Sequence, residues 1–241
     1  MRNLTKAQLQ YIAIIAMVVD HTAWGFVEFM TPLGIAMHLV GRLTLPIMCF
    51  FIAEGFTHTH DIKRYIGRMA VFAAIAVIPF YLFFHEEYGY RQNIIFDELL
   101  ALLALCVMNK GEIKKPLRIL LLALVFTVSA AIGGWVIMPI VYGLVFYYNK
   151  SFSDKARWFC FFTILLFAVL SGMILINRQI HFSEYDWSIT QWIYLLGFML
   201  ALIPLSRYNG EKGRTRTGRY FFYIFYPAHF IVLWVIKLLI G

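Results

Sequence analysis

QLQYIAIIAMVVDHTAWGFVEF, residues 8–29, is a largely apolar run whose only acidic or basic residues are Asp20, His21 and Glu28. Crossing the ~30 Å hydrocarbon core of a bilayer takes about 20 residues of helix, so this one stretch is long enough to span. Working outward, further apolar runs occupy 32–56, 65–85, 93–109, 116–132, 134–149, 157–176, 189–205 and 220–240. Apolar residues make up 61% of the 241-residue chain and charged residues 14%, with a mean hydropathy of +0.74. Soluble domains are roughly 45–50% apolar and about 25% charged, so too little polar surface is present to cover a water-soluble body. These figures exclude a disordered chain, a secreted disulfide scaffold and an ordinary cytosolic enzyme. They predict an all-α, polytopic helical membrane protein with about nine transmembrane helices. Nine helices of about 20 residues leave roughly 60 residues for loops and ends, which predicts one integral-membrane domain over 1–241.

The basic residues set the orientation. One alternating set of ends and loops holds seventeen of the 21 Lys and Arg, clustered at 2–6, 63–68, 110–118, 150–157 and 207–219. The opposite set holds only Arg91, Arg178 and Lys237, and Arg42 is left inside a span. Lys and Arg accumulate on cytoplasmic loops, so the N-terminus is expected in the cytoplasm and the C-terminus on the far side. The net charge of +8 follows this topological rule, and a nucleic-acid partner is not expected. The first run is too long for a signal-peptide core, carries Asp20-His21 and lacks a small-residue cleavage pattern, so it reads as a span. Gly133-Gly134 separates the fifth and sixth runs and reads as a tight helical hairpin, with a re-entrant segment as the alternative. The polar stretch SRYNGEKGRTRTGR, 206–219, reads most simply as a solvated cytoplasmic loop.

Cys49, Cys106 and Cys160 each stand alone in apolar sequence, with no CxxC pair and no zinc-like spacing, so no metal site is expected. The informative residues are the ionisable ones inside spans. The insertion scale puts Asp, Lys and Arg at about 2.5–3.5 kcal/mol each at a helix centre, so such groups persist when they pair, line a wet cavity or do chemistry. Asp20, Trp24 and Glu28 share one face of the first helix. His38 and Arg42 are at i, i+4 on the second and reach a depth similar to Asp20-His21. Asp97 and Glu98 enter the fourth from its outer edge, with Asn93 one turn before. His229 lies near the middle of the last, one turn after Tyr226. At the cytoplasmic end of the second span come Glu54 and His58, then Lys63, Arg64 and Arg68.

A histidine in a protected cavity is a natural general base near neutral pH. A neighbouring carboxylate orients its ring, and a fixed arginine stabilises a developing oxyanion. A basic rim at the cytoplasmic mouth suits the phosphates of an acyl carrier. Acyl transfer uses all of these groups. A proton-coupled membrane transporter would use the same residue types, with Asp20, Glu28 and Asp97 as a relay, although no internal repeat is visible. Paired axial histidines for a haem are a third and weaker reading.

The motifs carry a resemblance. IIAMVVDH (14–21) resembles the Met-x-x-Asp-His signature of the TraX family, the F-pilin acetylation proteins. GRLTLPIMCFFIAEGFTHTHDIKRYIGRM (41–69) resembles the family's second motif, the match continues through Ile78-Pro79-Phe80, and Asn93 resembles the asparagine that opens its fourth helix. YIFYPAHF (223–230) is similar to its C-terminal Tyr-Pro-x-His block, while the middle, about 110–215, carries little signature.

The resemblance implies a bacterial inner-membrane acetyltransferase within the broad transmembrane acyltransferase superfamily. Acetyl-CoA would be the donor, and the acceptor a pilin N-terminus, another peptide, a sugar or a lipid. On this expectation His21 is the base, Asp20 orients it or holds the acceptor, and Arg42 polarises the thioester carbonyl or balances Asp20. His229 and Tyr226 complete the cavity, with His229 as the alternative base. Lys63, Arg64 and Arg68 bind the CoA phosphates, and Glu54 fixes one of these arginines or lines the mouth. The bilayer and the acyl acceptor are the expected partners, and a homo-oligomer is compatible with the sequence.

Overall fold

The computed structural model describes residues 3–88, 91–176, 187–213 and 221–240. These form eleven helices: α1 Lys6–Phe26, α2 Pro32–Gly41, α3 Thr44–His58, α4 Ile62–Tyr88, α5 Ile94–Asn109, α6 Lys115–Ile132, α7 Met138–Tyr148, α8 Phe152–Ile176, α9 Trp187–Leu200, α10 Leu202–Ser206 and α11 Phe221–Ile240. No strand occurs among the described residues, only an isolated bridge between Leu4 and Tyr208. In lipid every backbone polar group must be satisfied within the protein, which is why apolar sequence of this length resolves into helices. Arg2, Arg178, Arg214, Arg216 and Arg219, counted above for orientation, lie outside the described residues.

Six candidate spans among the described residues are long and apolar enough to cross a bilayer, and α2 with α3 together make one of them. Nine full spans are not established. The run expected at 134–149 yields α7, whose 11 residues reach about 16 Å at 1.5 Å per residue, roughly half of the hydrocarbon core. Residues up to Ile137 are spent on the turn before it. The run at 93–109 yields the 16-residue α5, and the run at 189–205 is divided between α9 and α10.

The chain groups into two compact units. The first comprises Met1–Ile47 and Asn149–Gly213, the second Met48–Tyr148 and Arg214–Gly241. In the first unit α2 packs on both α1 and α9, and α8 packs on α9. Thr5 opens α1 with a capping box: its hydroxyl accepts from the Gln8 N–H, and the Gln8 side chain accepts from the Thr5 N–H. Two more first-turn donors are satisfied across the chain, Lys6 N–H by the Glu211 carbonyl at 2.8 Å and Ala7 N–H by the Lys212 carbonyl at 3.2 Å. The described part of the basic loop is therefore strapped to the start of α1 rather than simply solvated.

In the second unit α5 is the hub, packed on α4, α6 and α7, while α11 lies on α4. Asn93 caps α5 by accepting from Phe96 N–H, and its amide donates to the Ala73 carbonyl on α4 at 3.0 Å. The outward faces are apolar: Leu117, Ile119, Leu120 and Leu124 of α6 are all exposed, as lipid-facing side chains are.

The break expected at Gly133-Gly134 is present, and Asp97 holds it. Its fully buried carboxylate accepts from the Trp135 N–H at 3.0 Å. A side chain at Gly133 would meet Asp97 Oδ1 at 2.6 Å and the Ser129 carbonyl at 2.4 Å, so the approach requires glycine. Arg91 donates to the Gly133 carbonyl at 2.8 Å, and the Ser129 hydroxyl donates to the Val136 carbonyl. Val136 itself sits at φ 53°, a left-handed conformation that β-branched residues rarely adopt. Asp97 thus staples the α6–α7 turn. Replacing a buried acceptor leaves its donors unmatched at about 1–3 kcal/mol. Asp97→Ala should lower the thermal midpoint of the solubilised protein by that order of stability, and Asp97→Asn by less, as read from tryptophan fluorescence during heating.

Candidate functional site: a buried acid–imidazole–guanidinium centre

Asp20 lies in the second-last turn of α1, on the face turned toward α2, and His38 and Arg42 stand one turn apart at the end of α2. All three are buried, His38 completely. His38 Nδ1 lies 2.8 Å from Asp20 Oδ1, and Arg42 Nη1 donates to the same oxygen at 3.1 Å. A carboxylate oxygen accepts, so Nδ1 carries the proton and Nε2 keeps its lone pair. That Nε2 is sealed from solvent and has no hydrogen-bond partner among the described residues. Asp20 and Arg42 neutralise one another in place, which a pair removed from water requires.

Two glycines allow the approach. A Cβ on Gly41 would fall 2.3 Å from the Asp20 Cβ, and one on Gly197 would fall 2.5 Å from the Leu39 carbonyl and 2.8 Å from the Arg42 Cβ. Bare backbone at these points lets α1 and α9 close on α2 from two sides. Aromatic rings then wall the imidazole: Trp24 and Phe29 each have ring centroids 4.9 Å from it, and Tyr194 of α9 stands edge-on at 6.1 Å. The Arg42 guanidinium carbon lies 4.8 Å from the centre of the Tyr194 ring.

His21, the expected base, is the next residue after Asp20 and half-buried. Successive side chains leave a helix about 100° apart, so Asp20 and His21 point to different neighbours. The imidazole hydrogen-bonded to Asp20 is that of His38, eighteen residues further along the chain on α2. From the sequence His38 is expected at a depth similar to Asp20-His21 and enters only as a candidate axial histidine of the haem reading. Its signal was the i, i+4 spacing with Arg42; Tyr194 had none.

The remaining expected site residues lie in the second unit. His229 is buried in α11, its Nδ1–H donating to the Phe225 carbonyl at 3.2 Å, with its ring parallel to that of Phe225. The Tyr226 hydroxyl accepts from Ile94 N–H at 3.2 Å and so ties α11 to the start of α5. Arg68 donates to the Tyr223 hydroxyl at 3.4 Å and lies over the Tyr65 ring, its guanidinium carbon 5.2 Å from the centroid. Arg64 is 87% exposed and paired with Asp61 at 3.0 Å, and Lys63 is exposed. The Asp61 carboxylate holds Arg64. Glu54 is half-buried in α3 with Oε2 shielded from solvent.

Several long apolar helices define a multi-pass helical membrane protein, and one of its units carries a buried, neutralised Asp20–His38–Arg42 cluster. The chain belongs to the TraX family: the family described as "TraX protein" matches residues 5–237. It is 36% identical over 247 residues to the "Probable fimbrial assembly protein FimC, serogroup H1" of Dichelobacter nodosus, covering 96% of this chain and 95% of that one. No solved structure matches it.

Removing one member of a buried ion pair costs about 3–5 kcal/mol, because the other charge is left unmatched. Arg42→Met should therefore destabilise the solubilised protein strongly, and Asp20→Asn combined with Arg42→Met should recover part of the loss. A thermal-melt double-mutant cycle measures this coupling, and strict additivity would show that the pair is not energetically linked.

Proposed function

We propose that this protein is a membrane-embedded acetyltransferase that moves an acetyl group from acetyl-CoA to an amine or hydroxyl acceptor, with His38 as the general base. The observation that carries the reading is the Asp20–His38 pair: a carboxylate fixes the tautomer, and the opposite ring nitrogen is bare and sheltered from water. This is the arrangement in which an imidazole accepts a proton from a nucleophile and returns it to a leaving group. Arg42 holds the Asp20 charge, so the dyad can sit in an apolar surround without a net charge.

TraX membership and the fimbrial-assembly name of the relative support a pilin-linked role. The proposed acceptor is accordingly a pilin N-terminus, with another peptide, a sugar or a lipid as chemically equivalent acceptors. Lys63 and Arg64, exposed at the start of α4, are the proposed contacts for CoA phosphates, with Arg68 behind them. The proposed setting is a bacterial cytoplasmic membrane with these residues facing the cytosol.

The test uses purified protein in nanodiscs with labelled acetyl-CoA and a membrane extract, the labelled product being identified by mass spectrometry. General-base catalysis contributes about 10²–10⁴-fold, so His38→Ala should lower turnover by that factor, while His21→Ala stays within about tenfold of the parent. The reverse order would return the base to His21. Lys63→Ala with Arg64→Ala should raise KM for acetyl-CoA and leave kcat nearly unchanged. Absence of any donor-dependent labelled product would overturn the reading.

A further inference from the structure

Beside His38, a second buried polar atom has no partner. The Tyr194 hydroxyl is sealed from solvent and makes no hydrogen bond among the described residues. Buried tyrosine hydroxyls nearly always find a partner, because an unmatched one loses its hydration for nothing in return. Here two such atoms, Tyr194 Oη and His38 Nε2, belong to rings that meet edge-on, both against Phe29, whose ring centroid is 4.9 Å from His38 and 5.7 Å from Tyr194. One is a donor and the other a bare acceptor.

Tyr194 is held where it is by the same packing that builds the base. Gly197, one turn along α9, puts that helix against the Leu39 carbonyl and the Arg42 Cβ, and the Tyr194 ring then lies against the Arg42 guanidinium. The hydroxyl is therefore positioned by its ring, with no hydrogen bond of its own to hold it.

We infer that Tyr194 is a catalytic residue whose hydroxyl binds the acyl carbonyl oxygen next to the His38 base. The inference rests on the acetyl-transfer reading above. The acceptor N–H or O–H gives its proton to His38 Nε2, and its lone pair forms a bond to the thioester carbonyl carbon. The carbonyl π electrons move onto oxygen, where the Tyr194 O–H donates to the developing negative charge. Collapse re-forms the carbonyl and breaks the carbon–sulfur bond. The departing thiolate takes the proton from Nε2 and leaves as CoA thiol, so proton and electron pair are both accounted for. Arg42 stays on Asp20 throughout, which leaves the oxyanion to a neutral donor.

Tyr194→Phe tests this because it keeps the ring, its contact with Arg42 and its edge against His38, and removes only the hydroxyl. Deleting one oxyanion donor typically costs about 10²–10³-fold in kcat. The expected result is a fall of that size in kcat for acetyl transfer, KM for acetyl-CoA within about twofold, and a thermal midpoint unchanged or higher. A merely structural hydroxyl would give the opposite split: a lower midpoint with kcat retained. Retention of kcat within about threefold, at any midpoint, overturns the inference, as does a Tyr194→Phe protein that no longer folds. An active parent with an equally active Tyr194→Phe variant sinks this assignment alone; a parent with no donor-dependent transfer sinks the acetyl-transfer reading together with it.

Discussion

A carboxylate placed inside a lipid-embedded bundle has to be matched where it stands, and the interior of this protein is arranged around that demand. In the first unit one oxygen of Asp20 receives both the His38 Nδ1–H and an Arg42 N–H. In the second, Asp97 receives a backbone N–H from the Gly133–Trp135 turn. The two solutions differ in what they leave over. A backbone donor engages Asp97 Oδ2 to fix a turn, while Oδ1 is buried without a hydrogen-bond partner among the described residues. The histidine partner of Asp20 passes the effect through its ring, because fixing a proton on Nδ1 leaves a lone pair on Nε2. The proposed proton transfer begins at that atom.

Backbone contact makes such matching geometrically possible. Hydrophobic attraction gives little reason for helices to associate in lipid, and close packing at small residues supplies much of the drive instead. Gly41 and Gly197 bring α1 and α9 onto α2 so closely that a single methyl at either site would occupy the space of Asp20 or Arg42. The Gly-Arg pair at 41–42 is thus one device: the glycine admits the acid's helix, and the arginine that follows neutralises the acid.

Much of the architecture was legible in residue order. The run at 8–29 became α1, Asn93 became the cap of α5, and Gly133-Gly134 became a break, because each depends on local chemistry: apolar length, a side chain that accepts a helix-start N–H, and a backbone without Cβ. The number of full spans was less legible, since α7 and α9 are shortened by turns whose length apolar composition does not register. Within the site, Arg42 against Asp20 was one of the expected pairings. Tyr226 is engaged with Ile94, a contact far apart in sequence that no motif announces.

What residue order determined by itself was the solvent this chain lives in, its all-helical class and the presence of charges that lipid would not tolerate unmatched. All three follow from composition and from the cost of dehydrating a charge. Only the tertiary structure decided which histidine Asp20 holds. His21 and His38 are equally good imidazoles at similar depth, and the choice between them lies in the direction each side chain leaves its helix and in the closeness that Gly41 permits. Tyr194 joined the site for the same reason: its place comes from the packing of α9 on α2, a distance in space that no spacing along the chain encodes.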